Sequence, residues 1–97
     1  MEIRRTEKFD RWLSGLSDRK AKSRILVHID RLRLGMIGNV KPVGSGISEV
    51  KIDYGPGYRI YYTWIENKII LLLAGGDKDS QNRDIHSARE MLKRLEK

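Results

Sequence analysis

Glu49, Lys51 and Arg59 stand where they could do chemistry together. If their surroundings form two neighbouring β-strands, alternation sends all three side chains to one sheet face. A guanidinium and an ammonium can grip an oxyanion, and either the lysine amine or the carboxylate can accept a proton. Farther along, Lys78 follows Gly75-Gly76-Asp77 and precedes a helical pattern, whose first amides favour an anion nearby. His86, within that pattern, adds an imidazole that titrates near neutrality. Anion binding combined with proton transfer is the chemistry these side chains offer.

The strands that must position them lie between Val50 and Asp77. Three runs, Val50 to Tyr54, Tyr58 to Ile65 and Ile69 to Asp77, are rich in β-branched and aromatic residues and are separated by turn residues. They predict an antiparallel meander. Pro56 suits the first central position of a type II turn and Gly57 the second, while Glu66-Asn67 can close the second hairpin. Val50, Ile52 and Tyr54 then share one face, opposite Glu49, Lys51 and Asp53. Arg59, Tyr61, Thr63 and Ile65 alternate with Tyr58, Ile60, Tyr62 and Trp64. The run Ile69 to Ala74 has no polar side, which predicts an interior strand covered on both faces. One sheet face is expected to carry helices, leaving an open face near the first hairpin for Lys51, Arg59 and Glu49.

Upstream, Ile3 to Thr6 predicts a short strand, and Thr6 is a candidate cap for a helix with Phe9, Trp12, Leu13 and Leu16 at helical spacing. Ser17 or Asp18 can cap a second helix whose apolar positions are Ala21, Ile25, Ile29, Leu32 and Met36, with Gly38-Asn39 as its stop. The two read as an antiparallel hairpin. Arg19, Lys20, Lys22, Arg24, His28, Arg31 and Arg33 lie on or beside its exposed side, ordinarily a solvated face. Asn39 to Gly46 reads as a loop. Asp79 or Ser80 can cap a last helix with the buried stripe Ile85, Ala88, Leu92 and Leu95. The expected architecture is α+β, in the order βααβββα, in a single domain over residues 1–97.

Twenty Lys and Arg against thirteen Asp and Glu give a net charge of +7, which favours a polyanion or an acidic protein surface as partner. With no cysteine, disulfides and thiolate metal sites are excluded. His28 has no second histidine or carboxylate at a metal-binding spacing and reads as a surface residue rather than a ligand; no metal and no cofactor is expected. No secretory pattern opens the chain, and its strongest apolar run is too short to span a bilayer. A soluble, cytoplasmic protein without a membrane partner is the expectation.

The run Lys51-Ile52-Asp53-Tyr54-Gly55-Pro56-Gly57-Tyr58-Arg59-Ile60-Tyr61-Tyr62, and Leu72-Leu73-Ala74-Gly75-Gly76-Asp77-Lys78 with Gln81 and Asp84-Ile85 after it, resemble the RelE/ParE/HigB superfamily of toxins. The HigB-like addiction module killer proteins are the branch they resemble most. The resemblance implies a RelE-like fold and the toxin of a type II toxin–antitoxin module, which arrests growth and is restrained by a cognate antitoxin. In this branch the antitoxin is commonly a helix-turn-helix DNA-binding protein. Many members of the superfamily are metal-independent endoribonucleases, or mRNA interferases, that cut messenger RNA in the ribosomal A site. Others, of ParE type, inhibit DNA gyrase without cutting anything.

Metal-free RNA cleavage proceeds by attack of the ribose 2′-oxygen on its adjacent phosphate. By resemblance, Arg59 would hold phosphate oxygens and Lys78 would stand for a second phosphate-contacting cation. Lys51 or Glu49 would be the general base, crowded cations favouring the neutral amine of a lysine. Ribonuclease members often carry a tyrosine or histidine near the C-terminal end. The corresponding region here offers Arg83 and His86 without a tyrosine, making His86 the candidate acid and Arg83 a candidate RNA contact. Tyr58 and Tyr61 would offer rings on which bases stack.

Overall fold

The computed structural model of the chain describes residues 1–95. Its elements are β1 (Glu2–Arg5), α1 (Glu7–Ser14), α2 (Arg19–Arg33), β2 (Val40–Pro42), β3 (Ile47–Ile52), β4 (Tyr58–Ile65), β5 (Ile69–Gly76) and α3 (Gln81–Leu95). The expected α+β order holds with one addition, the short β2 inside the segment read as a loop. β2 pairs with β3 at the sheet edge, where Pro42 is tolerated although it has no N–H to give a ladder.

The strand order is β1-β5-β4-β3-β2, with β1 parallel to β5 and the other pairs antiparallel. β5 therefore lies inside the sheet, as its unbroken apolar run requires. The β4–β5 hairpin has Glu66 at φ 52° and Asn67 at φ 57°, the geometry of a type I′ turn that matches strand twist. The β3–β4 turn closes one residue earlier than expected. The Gly57 N–H donates to the Tyr54 carbonyl at 3.1 Å, so Gly55 and Pro56 are its central residues. Gly55, at φ 55°, takes a positive angle within the turn, and Gly57, at φ 78°, also takes the positive angle expected of it.

Helices cover both sheet faces rather than one. Phe9, Leu13, Ala21, Ile25 and Leu32 from α1 and α2 bury themselves with Val50, Ile52, Ile60, Tyr62, Ile70 and Leu72. On the opposite face Ala88, with Ile85, Met91 and Leu92 of α3, packs on Ile47, Tyr61, Leu71, Leu73 and Ala74. Each fully buried aliphatic side chain contributes about 1.5–3 kcal/mol, so both docked layers are held chiefly by apolar burial. The face carrying Glu49 and Arg59 is consequently roofed by α3 except near the β3–β4 turn.

Thr6 caps α1 by accepting from the Phe9 N–H at 3.1 Å, and Asp18 caps α2 by accepting from the Lys20 and Ala21 N–H groups. α2 stops at Arg33, earlier than the Gly38-Asn39 stop read from the sequence. Gly35 takes φ 77°, its N–H donates to the Leu32 carbonyl, and the Met36 N–H reaches back to the Arg31 carbonyl at 2.8 Å. That is a Schellman ending, and it leaves Met36 exposed instead of in the core.

Where Tyr61 pairs with Ala74 but Tyr62 pairs with Leu72, β5 carries one extra residue, Leu73. This bulge exchanges the faces of everything after it. Gly75 turns toward Trp12 of α1, and Gly76 turns toward Ser80 and Asp84 under α3, each with no room for a Cβ. The loop leaving β5 is thereby aimed at the open end of the α3 face.

Candidate functional site

Across three strands the register sets Lys51 opposite Arg59 and Arg59 opposite Gly76. Lys78 follows two residues later. Lys51, Arg59 and Lys78 line a single cleft of about 410 Å³, with Asp53, Tyr54, Gly55, Pro56 and Gly57 completing its wall. The β3–β4 turn forms one side and the loop after β5 the other.

That loop is fastened at both ends. The Ser80 N–H donates to Asp77 Oδ1 at 3.1 Å, and the Asp77 N–H donates back to Ser80 Oγ at 3.1 Å. The Ser80 hydroxyl also meets the buried carboxylate of Asp84, which occupies the space a side chain at residue 76 would need. Asp77 is therefore engaged with Ser80, and Lys78 projects from the loop these bonds close.

Arg59 is only 7% exposed. Its Nη1 donates to the Gly57 carbonyl at 2.8 Å, and its Nε lies 3.6 Å from Glu49 Oε1, beyond hydrogen-bond geometry. Glu49, 2% exposed, accepts from Gln81 Nε2 at 2.9 Å and has Lys41 Nζ 3.8 Å from Oε1. This corrects the reading of Glu49 as a general base. Roofed by α3 and committed to Gln81 and Arg59, its carboxylate holds the guanidinium from behind and has no opening to a substrate. Lys51, its side chain 43% exposed and its Nζ 3.5 Å from Asp53, stands at the cleft itself.

The stacking role expected for Tyr58 and Tyr61 also fails. Tyr61 is fully buried beneath α3, and Tyr58 is buried edge-on against Trp12, the ring centroids 6.3 Å apart. Burial, followed by the neighbouring charge of Glu49, pushes the Tyr61 hydroxyl well above the ordinary tyrosine value, so it stays protonated. His86 and Arg83 are exposed on α3 and line none of the cleft, Arg83 standing 3.7 Å from Asp84. The structure does not bring them to Arg59.

Two cleft features escaped the sequence reading. Tyr54, placed there simply on a core face, is the aromatic residue that lines the cleft, and the Arg24 guanidinium of α2 lies 4.6 Å above its ring centroid. Gln81 supplies the buried donor to Glu49. Tyr54 could have been found from the turn, since the residue opening it stands at the rim, whereas the Arg24 and Gln81 contacts span elements distant in sequence. Among the described residues no group of three or more histidines and carboxylates is placed to hold a metal ion.

The sheet and its three helices have the RelE fold. A mutant of the E. coli toxin RelE in the free state superposes with a TM-score of 0.68 at 16% identity, over 97% of this chain and 96% of that one. The E. coli RelBE toxin–antitoxin complex gives a TM-score of 0.62 at 16% identity, over 78% of this chain and 94% of the matched one. The profile of the family described as Phage derived protein Gp49-like matches residues 11–96, and the chain belongs to that family. An uncharacterized protein of Haemophilus influenzae is 41% identical over 95 residues, covering 98% of this chain and 96% of that protein.

Proposed function

We propose that this protein is the toxin of a type II toxin–antitoxin module and that it cuts messenger RNA on the ribosome without a metal. The convergence of Lys51, Arg59 and Lys78 on one cleft is the observation that carries the reading. Its fold, shared with a toxin and with a toxin–antitoxin complex, supports the same reading. So does the resemblance to the HigB-like branch, which makes a helix-turn-helix antitoxin the expected restraint.

In this mechanism the Arg59 fork, held by Glu49 and the Gly57 carbonyl, engages two oxygens of the scissile phosphate. The Lys51 side-chain nitrogen removes the proton of the 2′-hydroxyl. The 2′-oxygen bonds to phosphorus as the bond to the 5′-oxygen breaks, and the Lys78 ammonium returns a proton to that leaving oxygen. The products are a 2′,3′-cyclic phosphate and a free 5′-hydroxyl. Extra charge on the phosphorane is met by cations already in place, an effect worth about 10²–10³ in rate for one lost donor. A gyrase-binding toxin of ParE type has no need of three cations on one cleft.

The test is a translating extract in which messenger RNA ends are mapped by primer extension. New ends should appear within translated codons only when ribosomes are present, and Arg59→Ala should slow their appearance by about 100-fold or more. Intact messages with the unaltered protein would overturn the reading and bring the gyrase alternative forward.

A further inference from the structure

We propose that the α2 face bearing Lys20, Arg24 and Arg31 is a second nucleic-acid site, a track along which single-stranded RNA continues beyond the cleft. This rests on the ribonuclease reading and extends it to a surface that reading does not use.

Lys20, Arg24, Val27 and Arg31 recur at helical spacing on one side of α2, and with Arg19, Ser23 and His28 they line an open groove of about 570 Å³. The charges on this groove differ from the paired cations on the exposed helix faces. Arg11 pairs with Glu7, Arg33 with Asp30 and Lys93 with Glu90, each within its own helix. None of the ion pairs among the described residues involves Arg19, Lys20, Arg24 or Arg31. Four neighbouring cations on one helix repel one another, and an external polyanion relieves that repulsion.

Continuity decides which polyanion. Arg24 caps the ring of Tyr54, and the same Tyr54 lines the cleft with Lys51, Arg59 and Lys78. Groove, aromatic ring and cleft form one positive path, and a basic groove interleaved with an aromatic platform is how single strands are held without regard to sequence. An acidic protein helix would want an apolar ridge between the charges. Val27 is the exposed apolar side chain that lines this groove; Leu26 of α2 lies off it, and Met36 and Ile37 line a separate pocket that meets it at His28 and Arg31.

The test uses fluorescein-labelled 2′-O-methyl RNA, which the cleavage step cannot consume, in two lengths of about 4 and about 12 nucleotides. Anisotropy titrations compare the unaltered protein with a Lys20→Gln, Arg24→Gln, Arg31→Gln variant, whose neutral helix-forming side chains keep α2 folded, checked by circular dichroism. The longer RNA should bind the unaltered protein more tightly, and the variant should lose that gain. Three phosphate contacts on a single strand also make the unaltered protein's salt slope steeper by about 2, so a roughly fourfold rise in salt should cost it about 20-fold more affinity than the variant. Equal affinity for both lengths, or a gain that survives in the variant, would overturn the track while leaving the cleft reading intact, and would return this face to an acidic protein partner or to solvent. Failure to bind either length would likewise overturn the track, whereas the ribonuclease reading stands or falls separately with the ribosome-dependent primer-extension assay.

Discussion

Arg59 spends most of its surface inside the protein, which makes its charge expensive unless something answers it. Glu49 is that answer, at 3.6 Å and equally buried, and Gln81 satisfies the carboxylate's other oxygen. Removing one member of a buried pair strands the other, typically at about 3–5 kcal/mol. Glu49→Gln should therefore destabilise the fold by about 3 kcal/mol in urea denaturation and slow RNA cleavage as well. A variant that kept stability and lost only activity would restore Glu49 as a proton acceptor. Tyr61 makes the opposite case. Its hydroxyl is buried without a hydrogen-bond partner among the described residues, and its pKa is raised by that burial. Below the ordinary value near 10 the folded and unfolded chains both keep the phenol proton, and this contribution to stability is fully present. As pH rises past it, only the unfolded chain ionises, and stability is lost. Tyr61→Phe should hold stability within about 1 kcal/mol at neutral pH and flatten the alkaline loss, measured as the midpoint of unfolding at successive pH values.

At the scale of elements, the bulge and the two helix ends decide where these residues point. Gly76 leaves the space that the Asp84 carboxylate fills, so Gly76→Ala forces α3 or the Lys78 loop to move. Overpacking of this kind costs about 1–3 kcal/mol and more where backbone must shift. Gly35→Ala meets no neighbour and suffers only its positive φ, about 1 kcal/mol. Thermal unfolding should rank Gly76→Ala well below Gly35→Ala, and only the former should impair cleavage. The same elements show how far the sequence could be read. Alternating and helical periodicities located each principal strand and helix, because each buries one stripe or face. Alternation also brought Lys51 and Arg59 together. What it did not carry was the second layer. α3 has an ordinary amphipathic stripe, and nothing in Ile85, Ala88 and Leu92 says that it lies on the face of Glu49 and Tyr61. For that reason Glu49 and Arg59, read on an open face, are buried, as is Tyr61. The extra residue at Leu73 was equally silent, since an apolar run without a polar side shows no break in phase when one residue is added.

For the whole molecule the governing quantity is the net charge of +7, unevenly matched by partners. Ion pairs such as Arg11–Glu7, Arg33–Asp30 and Lys93–Glu90 are exposed and worth between nothing and about 1 kcal/mol each, so screening them costs little. Screening the repulsion among unpaired cations gains more. The melting temperature should therefore rise as sodium chloride is added at low ionic strength. A polyanion should act in the opposite salt regime. Single-stranded RNA at about 100 times its dissociation constant adds about 2.7 kcal/mol to the folded state. For a domain of this size that is a shift of about 10 °C or more. The RNA effect should vanish in high salt, where counterion release no longer favours binding. Differential scanning calorimetry with and without RNA at the two salt levels measures both arms. A rise with salt but no response to RNA would mean that the charge serves solubility alone, and it would remove the electrostatic basis for placing this protein on the ribosome.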